Sequence, residues 1–581
     1  MSQKQKPTVA PTYDAFSAHA EGMTLRTWTV GALPLINAML ERMGLESFLQ
    51  QSLKEDGPRM KIPTRRGLRL LIQNVLLSRE PIYGLGEWGQ RHAPDLTGVP
   101  TAQLKHLNDD RIGRALDRLF QAQSSSLVMN VVRHVIREFN LSLDELHNDS
   151  TTVTFHGSYE AANEAGMKLG LPTLGITWGK NKDHRPELKQ LLYILTVTDD
   201  GGVPIYFTTA SGNTADDQTH LETWELMRQL VGSTDFLYVA DCKLASTNNL
   251  TTIDSRGGRF VTVLPRTRRE DKAFRRQVVA APDAVAWNDL YEVRDEEGYI
   301  VDQLRAAAGP YRTSDGFRLL WYSSLRKKKQ DAVSRAHQIE KTRQELGMLR
   351  ERLQSPKTRF RAREQVQEAV AKILAASPVG ALIDVTITER QTESFAQATP
   401  GRPGPNTQYV KSVQAHYDLA IDLNLTRLAD SLATDGIFPL MTNDEAMTPE
   451  EVLRAYKRQP LVEKRFSQFK NDFRVAPVYL KDVGRVQALL CAYFFVLLVQ
   501  TLLERELRLA MLRDDVDDLP IYPEGRACAA PTSRRIFDLF EPIQRHELTR
   551  DRKLEVFVTK LSRAQRRILK LLRLDPERYG K

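Results

Sequence analysis

LKQLLYILTVTDDGGVPIYFTTA, residues 188–210, decides how the middle of this chain folds. Two apolar runs rich in β-branched residues flank Asp199-Asp200-Gly201-Gly202. Glycine tolerates the positive φ of a tight turn, so the stretch reads as an antiparallel hairpin. Upstream, LHNDSTTVTF (146–155) has strand composition. Downstream, LETWELMRQLV (221–231) changes to the helical period, with Thr214 and Asp217 as the expected opening of that helix. FLYVADC (236–242) and RFVTVLPR (259–266) return to strand. Strand, hairpin, helix and strand in that order build a mixed sheet with at least one crossover helix, which places the core in the α/β class.

Outward from this core the text changes character. Between Thr27 and Asn140 apolar residues recur at three and four, as in LPLINAMLERMGLESFL and SSLVMNVVRHVIREF, so this region is expected to be helical. KIPTRRGLR (61–69) places Lys61, Arg65, Arg66 and Arg69 at a helix start. A helical module touching DNA phosphates is one reading of them, and on this segment alone a solvated helix face is the favoured one. Residues 266–424 look inserted. They open with RTRREDKAFRR and carry two charged helical stretches, 330–353 and 360–376, broken near Ser355–Pro356. Neither stretch shows a broad apolar face, so a solvated arm or partner-binding hairpin is expected there.

The chain of 581 residues holds 82 Lys and Arg against 73 Asp and Glu, a net charge of +9. Residues 550–581 alone carry 11 basic against 4 acidic residues. That imbalance points to a polyanionic partner contacted by the C-terminus. Arg563, Arg566, Arg567, Lys570 and Arg573 recur there at helical spacing. The three cysteines lie far apart, which excludes a disulfide scaffold and a cysteine zinc site and fits a reducing cytoplasm. No secretory signal is expected at the start. Residues 486–503 (VQALLCAYFFVLLVQTLL) lack a charge and approach the length of a membrane span. With Gln487, Gln500 and Thr501 in a polar chain they read as a buried core helix, and no membrane is expected as partner.

Three acids stand out by placement. Asp149 lies in the first strand of the mixed sheet, Asp241 ends the strand after the crossover helix, and Glu463 lies in the helical stretch after Thr448-Pro449. Taken singly, Asp149 reads as a strand-edge acid and Asp241 as a helix cap. Three convergent carboxylates repel one another unless cations bind, and oxygen-only ligands favour Mg²⁺ or Mn²⁺. AYKRQPLVEKRFSQFK (455–470) sets Tyr456, Glu463 and Lys470 seven residues apart, nearly two helical turns, although Pro460 kinks this helix or starts a new one.

These residues resemble the DDE transposases of bacterial insertion sequences. The group they resemble is the insertion-sequence-four-like one, with a Tyr-x2-Arg-x3-Glu-x6-Lys motif. The spacing Tyr456, Gln459, Glu463, Lys470 matches, with Gln459 where the motif has Arg and Arg458 beside it. Asn148-Asp149-Ser150-Thr151-Thr152 resembles the first-aspartate strand and Val239-Ala240-Asp241 the second, with Lys243 where Gly is common. DHRPELKQ (183–190) and Gly212-Asn213-Thr214 add to the resemblance.

The resemblance implies an RNase H-like mixed-sheet catalytic core interrupted by an insertion domain, with a helical N-terminal domain and a helical C-terminal region. The expected division is a disordered tail (1–20), a helical DNA-end-binding domain (21–140), core (141–265), insertion (266–424), core with the Glu463 helix (425–482) and a basic helical region (483–581). It implies that Asp149, Asp241 and Glu463 hold two Mg²⁺ or Mn²⁺ ions. It implies hydrolysis at the insertion-sequence end and attack of the freed 3′-hydroxyl on target DNA. Tyr456, Arg458, Gln459 and Lys470 are then expected near the cut phosphates, with Lys61, Arg65, Arg66, Arg69, Arg566 and Arg567 on flanking DNA. Expected partners are transposon-end and target duplex DNA and a second copy of the chain, in the cytoplasm at the nucleoid. A descendant that binds without cutting, and a metal-dependent nuclease without strand transfer, are the competing readings.

Overall fold

The computed structural model describes residues 17–20, 23–54, 56–57, 60–123, 126–355, 357–473, 478 and 480–580. They form two compact units, one of residues up to Thr262 together with Arg454–Lys581, the other Val263–Leu453.

The first unit is built on a mixed sheet. Its strands run in the order Arg259–Val263, Leu237–Ala240, Glu145–Phe155, Lys189–Thr198, Pro204–Ser211. The first three are parallel, Lys189–Thr198 runs antiparallel to the Glu145 strand, and Pro204–Ser211 pairs antiparallel with Lys189–Thr198, so four of the five strands share one direction. This is an RNase H-like mixed α/β core. Gly201 and Gly202 take φ of +82° and +63°, which closes the expected hairpin at little steric cost. The crossover helix is His220–Val231, with Trp224 fully buried beneath it. Thr214 does not open that helix. Residues 214–219 instead turn back toward the sheet, where the Asp216 carboxylate accepts from Ser150 Oγ at 2.9 Å. A tertiary hydrogen bond has displaced the local capping pattern.

The uncharged stretch at 486–503 lies inside the helix Val483–Arg513, and its apolar window is buried throughout. A helix apolar on every side needs neighbours on every side. Helices Leu33–Arg42, Thr64–Leu77 and Asp109–Gln123 and the strand Pro204–Ser211 supply them. The first charged residue after this stretch, Glu504, is buried too. Glu504 accepts from Arg465 (3.2 Å), Gln468 (3.1 Å) and the Ser533 backbone N–H (3.0 Å).

Both termini depart from an all-helical expectation. Residues 1–16 of the expected tail lie outside the described residues, but Ser17–Ala20 is a strand paired with Met23–Thr29. Met23–Thr29 pairs in turn with Gln544–Arg550, and that with Lys553–Val558. The basic C-terminal region thus contributes a hairpin as well as the helix Arg563–Leu571. Met23–Thr29 and Gln544–Arg550 lie more than 500 residues apart in the chain, so no local pattern reveals their pairing.

The second unit carries antiparallel strands Trp287–Arg294, Ile300–Ala307, Arg318–Ser324 and Ile437–Thr442. Its helices Leu325–Gln354 and Arg363–Ala376 are not a solvated arm. Leu346, Leu349, Leu353, Val366 and Val370 form a core with Ile383, Tyr417 and Leu419 of a long hairpin, Ile383–Gln397 with Tyr409–Leu423. Ala369, Ile373 and Leu374 of the second helix pack against the same core, so the apolar side of this pair covers the ribbon.

Candidate active site

The parallel register pairs Asn148 with Ala240, so Asp149 and Asp241 follow at the next step on adjacent strands. Neighbouring strands lie about 4.8 Å apart, which puts the two carboxylates within direct electrostatic reach. Burial, opposed by the Lys182 ammonium and reinforced by the Asp241 carboxylate, pushes the Asp149 carboxyl up to about 6. Asp241 is held by the strand end itself: its carbonyl accepts from Thr262 Oγ1 at 2.7 Å, and its carboxylate from the Lys243 N–H at 2.9 Å. The residue that stands where glycine is common thus uses its backbone, not its side chain, to orient the acid.

Glu463 is exposed in the first turn of the helix Pro460–Ser467, which starts afresh at its proline. Val462 and Phe466 are buried beneath this helix, and Phe469 stacks on Tyr193 of the hairpin at 4.4 Å. After Ser467 the chain loosens into a π-turn, Gln468–Asp472, closed by Phe473 N–H to Gln468 O at 3.1 Å. Lys470 sits in that turn, so its spacing from Glu463 is not that of a regular α-helix. Such turns recur at functional sites.

Tyr456 reports on all three acids. Burial, then the charges of Asp241, Cys242, Glu463 and Asp149, push its phenol up to about 12. The hydroxyl stays protonated at any working pH and available as a donor.

Lys182 and Asp183 belong to this site, although the residue pattern gave no role to either. Lys182 Nζ lies 3.3 Å from Asp149 Oδ1, 2.7 Å from the Ser150 carbonyl oxygen and 3.6 Å from Asp216 Oδ2. Asp183 accepts from Lys470 and, at 3.4 Å, from Thr152 Oγ1. The signal was present in DHRPELKQ, which begins one residue after Lys182.

The other residues named from sequence are placed as follows. Gln459 is buried against His147 and Asn148, and Arg458 pairs with Glu145. Arg65 and Arg69 share Glu46, at 3.2 and 3.0 Å. Lys61 Nζ is 3.2 Å from His106 Nε2. Arg66 is half-buried on the same helix, and Arg566 and Arg567 are exposed on the C-terminal helix. Near the hairpin, Trp178 is exposed, with Lys189 over its ring at 4.8 Å, although no role was read for it from the sequence.

The donor set suits a hard divalent cation. The adjacent aspartates offer only oxygen, and an ammonium already stands between Asp149 and Asp216 as a stand-in positive charge. Among the described residues no three acidic, histidine or cysteine side chains close into a ready-made cage.

The mixed sheet and its crossover helix are those of an RNase H-like core. The family model described as transposase DDE domain matches residues 144–499, more than half of the chain, and the chain belongs to that family. It is a DNA transposase, an enzyme of DNA cleavage and strand transfer, in a family served by divalent metal ions. Residues 25–133 match a domain of unknown function (DUF4277). A cryo-EM structure of the piggyBac transposase synaptic complex with hairpin DNA is 8% identical over 86% of this chain and 79% of its own, with a TM-score of 0.35. That likeness is too low to carry an argument. No curated protein matches the chain.

Proposed function

We propose that Asp149, Asp241 and Glu463 are the catalytic acids, that they hold two Mg²⁺ or Mn²⁺ ions, and that they cut the ends of an insertion sequence and join the freed 3′-hydroxyl to target DNA. The observation that carries this is the register: Asn148 opposite Ala240 sets Asp149 beside Asp241, with Glu463 near enough for all three to act on Tyr456. Bound divalent cations supply activation of the attacking oxygen and charge stabilisation of the leaving one.

The chain's own groups do the rest. The Tyr456 hydroxyl donates to a phosphate oxygen, and Lys470 exchanges Asp183 for the backbone of the substrate. Lys182 holds positive charge beside Asp149, and would be available to a phosphate if Asp149 were to hold a divalent cation. Lys61, Arg66, Arg566 and Arg567 bind flanking duplex. A second copy of the chain holds the other end of the element.

The test is a cleavage and joining assay with element-end DNA and Mg²⁺ or Mn²⁺, with wild type beside Asp149→Ala, Asp241→Ala and Glu463→Ala. All three variants lose cutting and joining while DNA binding persists. Activity surviving in all three would show that other acids are used. Wild-type cutting without joining would favour a nuclease, and specific binding without cutting a descendant that no longer acts.

A further inference from the structure

Gln459 is a buried polar residue near the acids, 6% exposed. Both ends of its amide are engaged. Nε2 donates to the Asn148 carbonyl at 3.1 Å, and Oε1 lies 3.1 Å from His147 Nδ1. An amide oxygen only accepts, so this ring nitrogen carries the hydrogen. His147 is fully buried, and its Nε2 lies 2.8 Å from Glu145 Oε1. Arg458, the residue before Gln459, closes the same network by donating Nε to Glu145 at 2.7 Å, with a second bond from Nη2. Burial pushes the Glu145 carboxyl up, but the bonds from His147 and Arg458 outweigh it and hold it below its ordinary value.

The geometry has a specific consequence. Gln459 stands four residues, just over one turn, before Glu463, at the start of the helix that carries it. The carbonyl that Gln459 grips belongs to the residue immediately before Asp149. One buried side chain therefore sets the helix of one acid against the strand of another. Buried among these partners, the amide presents almost no surface to DNA.

We infer that Gln459 is a positioning residue, which with His147, Glu145 and Arg458 clamps the Glu463 helix to the Asp149 strand and so fixes the spacing of the cation-binding acids. This rests on the assignment of those acids to the active site. Clamps of this kind orient ligating carboxylates without touching the metal, and their loss typically costs about 10- to 100-fold in metal affinity or activity.

The experiment compares full-length wild type with Gln459→Met, which keeps length and volume but removes both hydrogen bonds, and Gln459→Arg. Three quantities are read: Mn²⁺ affinity without DNA, by electron paramagnetic resonance of free Mn²⁺; affinity for element-end duplex in EDTA; and cleavage rate at saturating DNA. Gln459→Met should weaken Mn²⁺ binding and slow cleavage by about 10-fold or more, with DNA affinity within about twofold of wild type. Gln459→Arg should do the same, because a guanidinium has no acceptor for His147. If Gln459→Met fails to fold, Glu145→Gln loosens the same clamp from the strand side and carries the same expectation. The inference is overturned if Gln459→Met weakens DNA binding at an unchanged saturated rate, or if Gln459→Arg tightens DNA binding with normal Mn²⁺ affinity. A wild type that binds Mn²⁺ but never cleaves would instead sink the transposition reading, and the Mn²⁺ comparison alone would then decide the clamp.

Discussion

The ammonium of Lys182 lies 3.3 Å from the carboxylate of Asp149 and also reaches the Ser150 carbonyl and Asp216. A lysine from the loop before the hairpin thus neutralises the first acid of the sheet. A cation that binds Asp149 meets this ammonium as a neighbouring like charge. Lys182→Met should therefore raise the Mn²⁺ affinity of the DNA-free protein by ~3-fold or more, since a neighbouring like charge is removed. Unchanged affinity in a titration would show that the lysine swings away without cost.

Asp149 itself predicts a pH dependence. Its folded carboxyl sits at about 6 against an ordinary 3.8, burial being the main cause. A raised folded value stabilises the protein below the unfolded value, and that contribution is lost as pH rises through the folded one. Asp149→Asn should then raise the metal-free thermal midpoint at pH 7, by a stabilisation of about 1–3 kcal/mol, and the gain should vanish near pH 4. A gain equal at both values would mean that the carboxyl is not perturbed.

Glu504 predicts the opposite dependence. Burial pushes it up, but Arg465, Lys464 and the Ser533 N–H outweigh that and hold it below the ordinary carboxylate value. A depressed folded value gives stability above the unfolded value that is lost as pH falls through the folded one. Replacing it with Ala leaves Arg465 buried without its acid, at a cost of about 3–5 kcal/mol. Denaturant unfolding at pH 7 and at acid pH should show that cost shrinking as the medium acidifies.

Tyr456 is a donor, not a base. With its phenol pushed up to about 12 it does not titrate between pH 6 and 9. Tyr456→Phe should slow cleavage by about 10-fold with an unaltered pH profile. A shifted profile would assign it a proton-transfer role.

DNA binding should weaken steeply with salt, because phosphate contacts by Lys and Arg release counterions. Arg566→Ala with Arg567→Ala should lower the slope of log K against log salt by about 2. Arg65→Ala should lower it less, since Glu46 already holds that guanidinium. Equal slopes for all would place the duplex elsewhere on the protein.

What the amino-acid sequence by itself determined was local. The Asp-Asp-Gly-Gly turn, the β-branched runs beside it and the uncharged stretch at 486–503 each specify conformation or burial through near neighbours, because backbone sterics and periodicity act over a few residues. Asp149, Asp241 and Glu463 stood out through the resemblance of the motifs around them, since Asp149 and Asp241 taken singly read as a strand-edge acid and a helix cap. Tertiary structure decided the rest. The pairing of Met23–Thr29 with Gln544–Arg550, the Asn148–Ala240 register and the grip of Gln459 on Asn148 join residues far apart in the chain. No local pattern encodes them. A glutamine at a helix start reads as a surface residue or a DNA contact until a histidine and a carbonyl from a strand more than 300 residues upstream close over it. Desolvation then makes its hydrogen bonds obligatory, and only the packed fold supplies that desolvation.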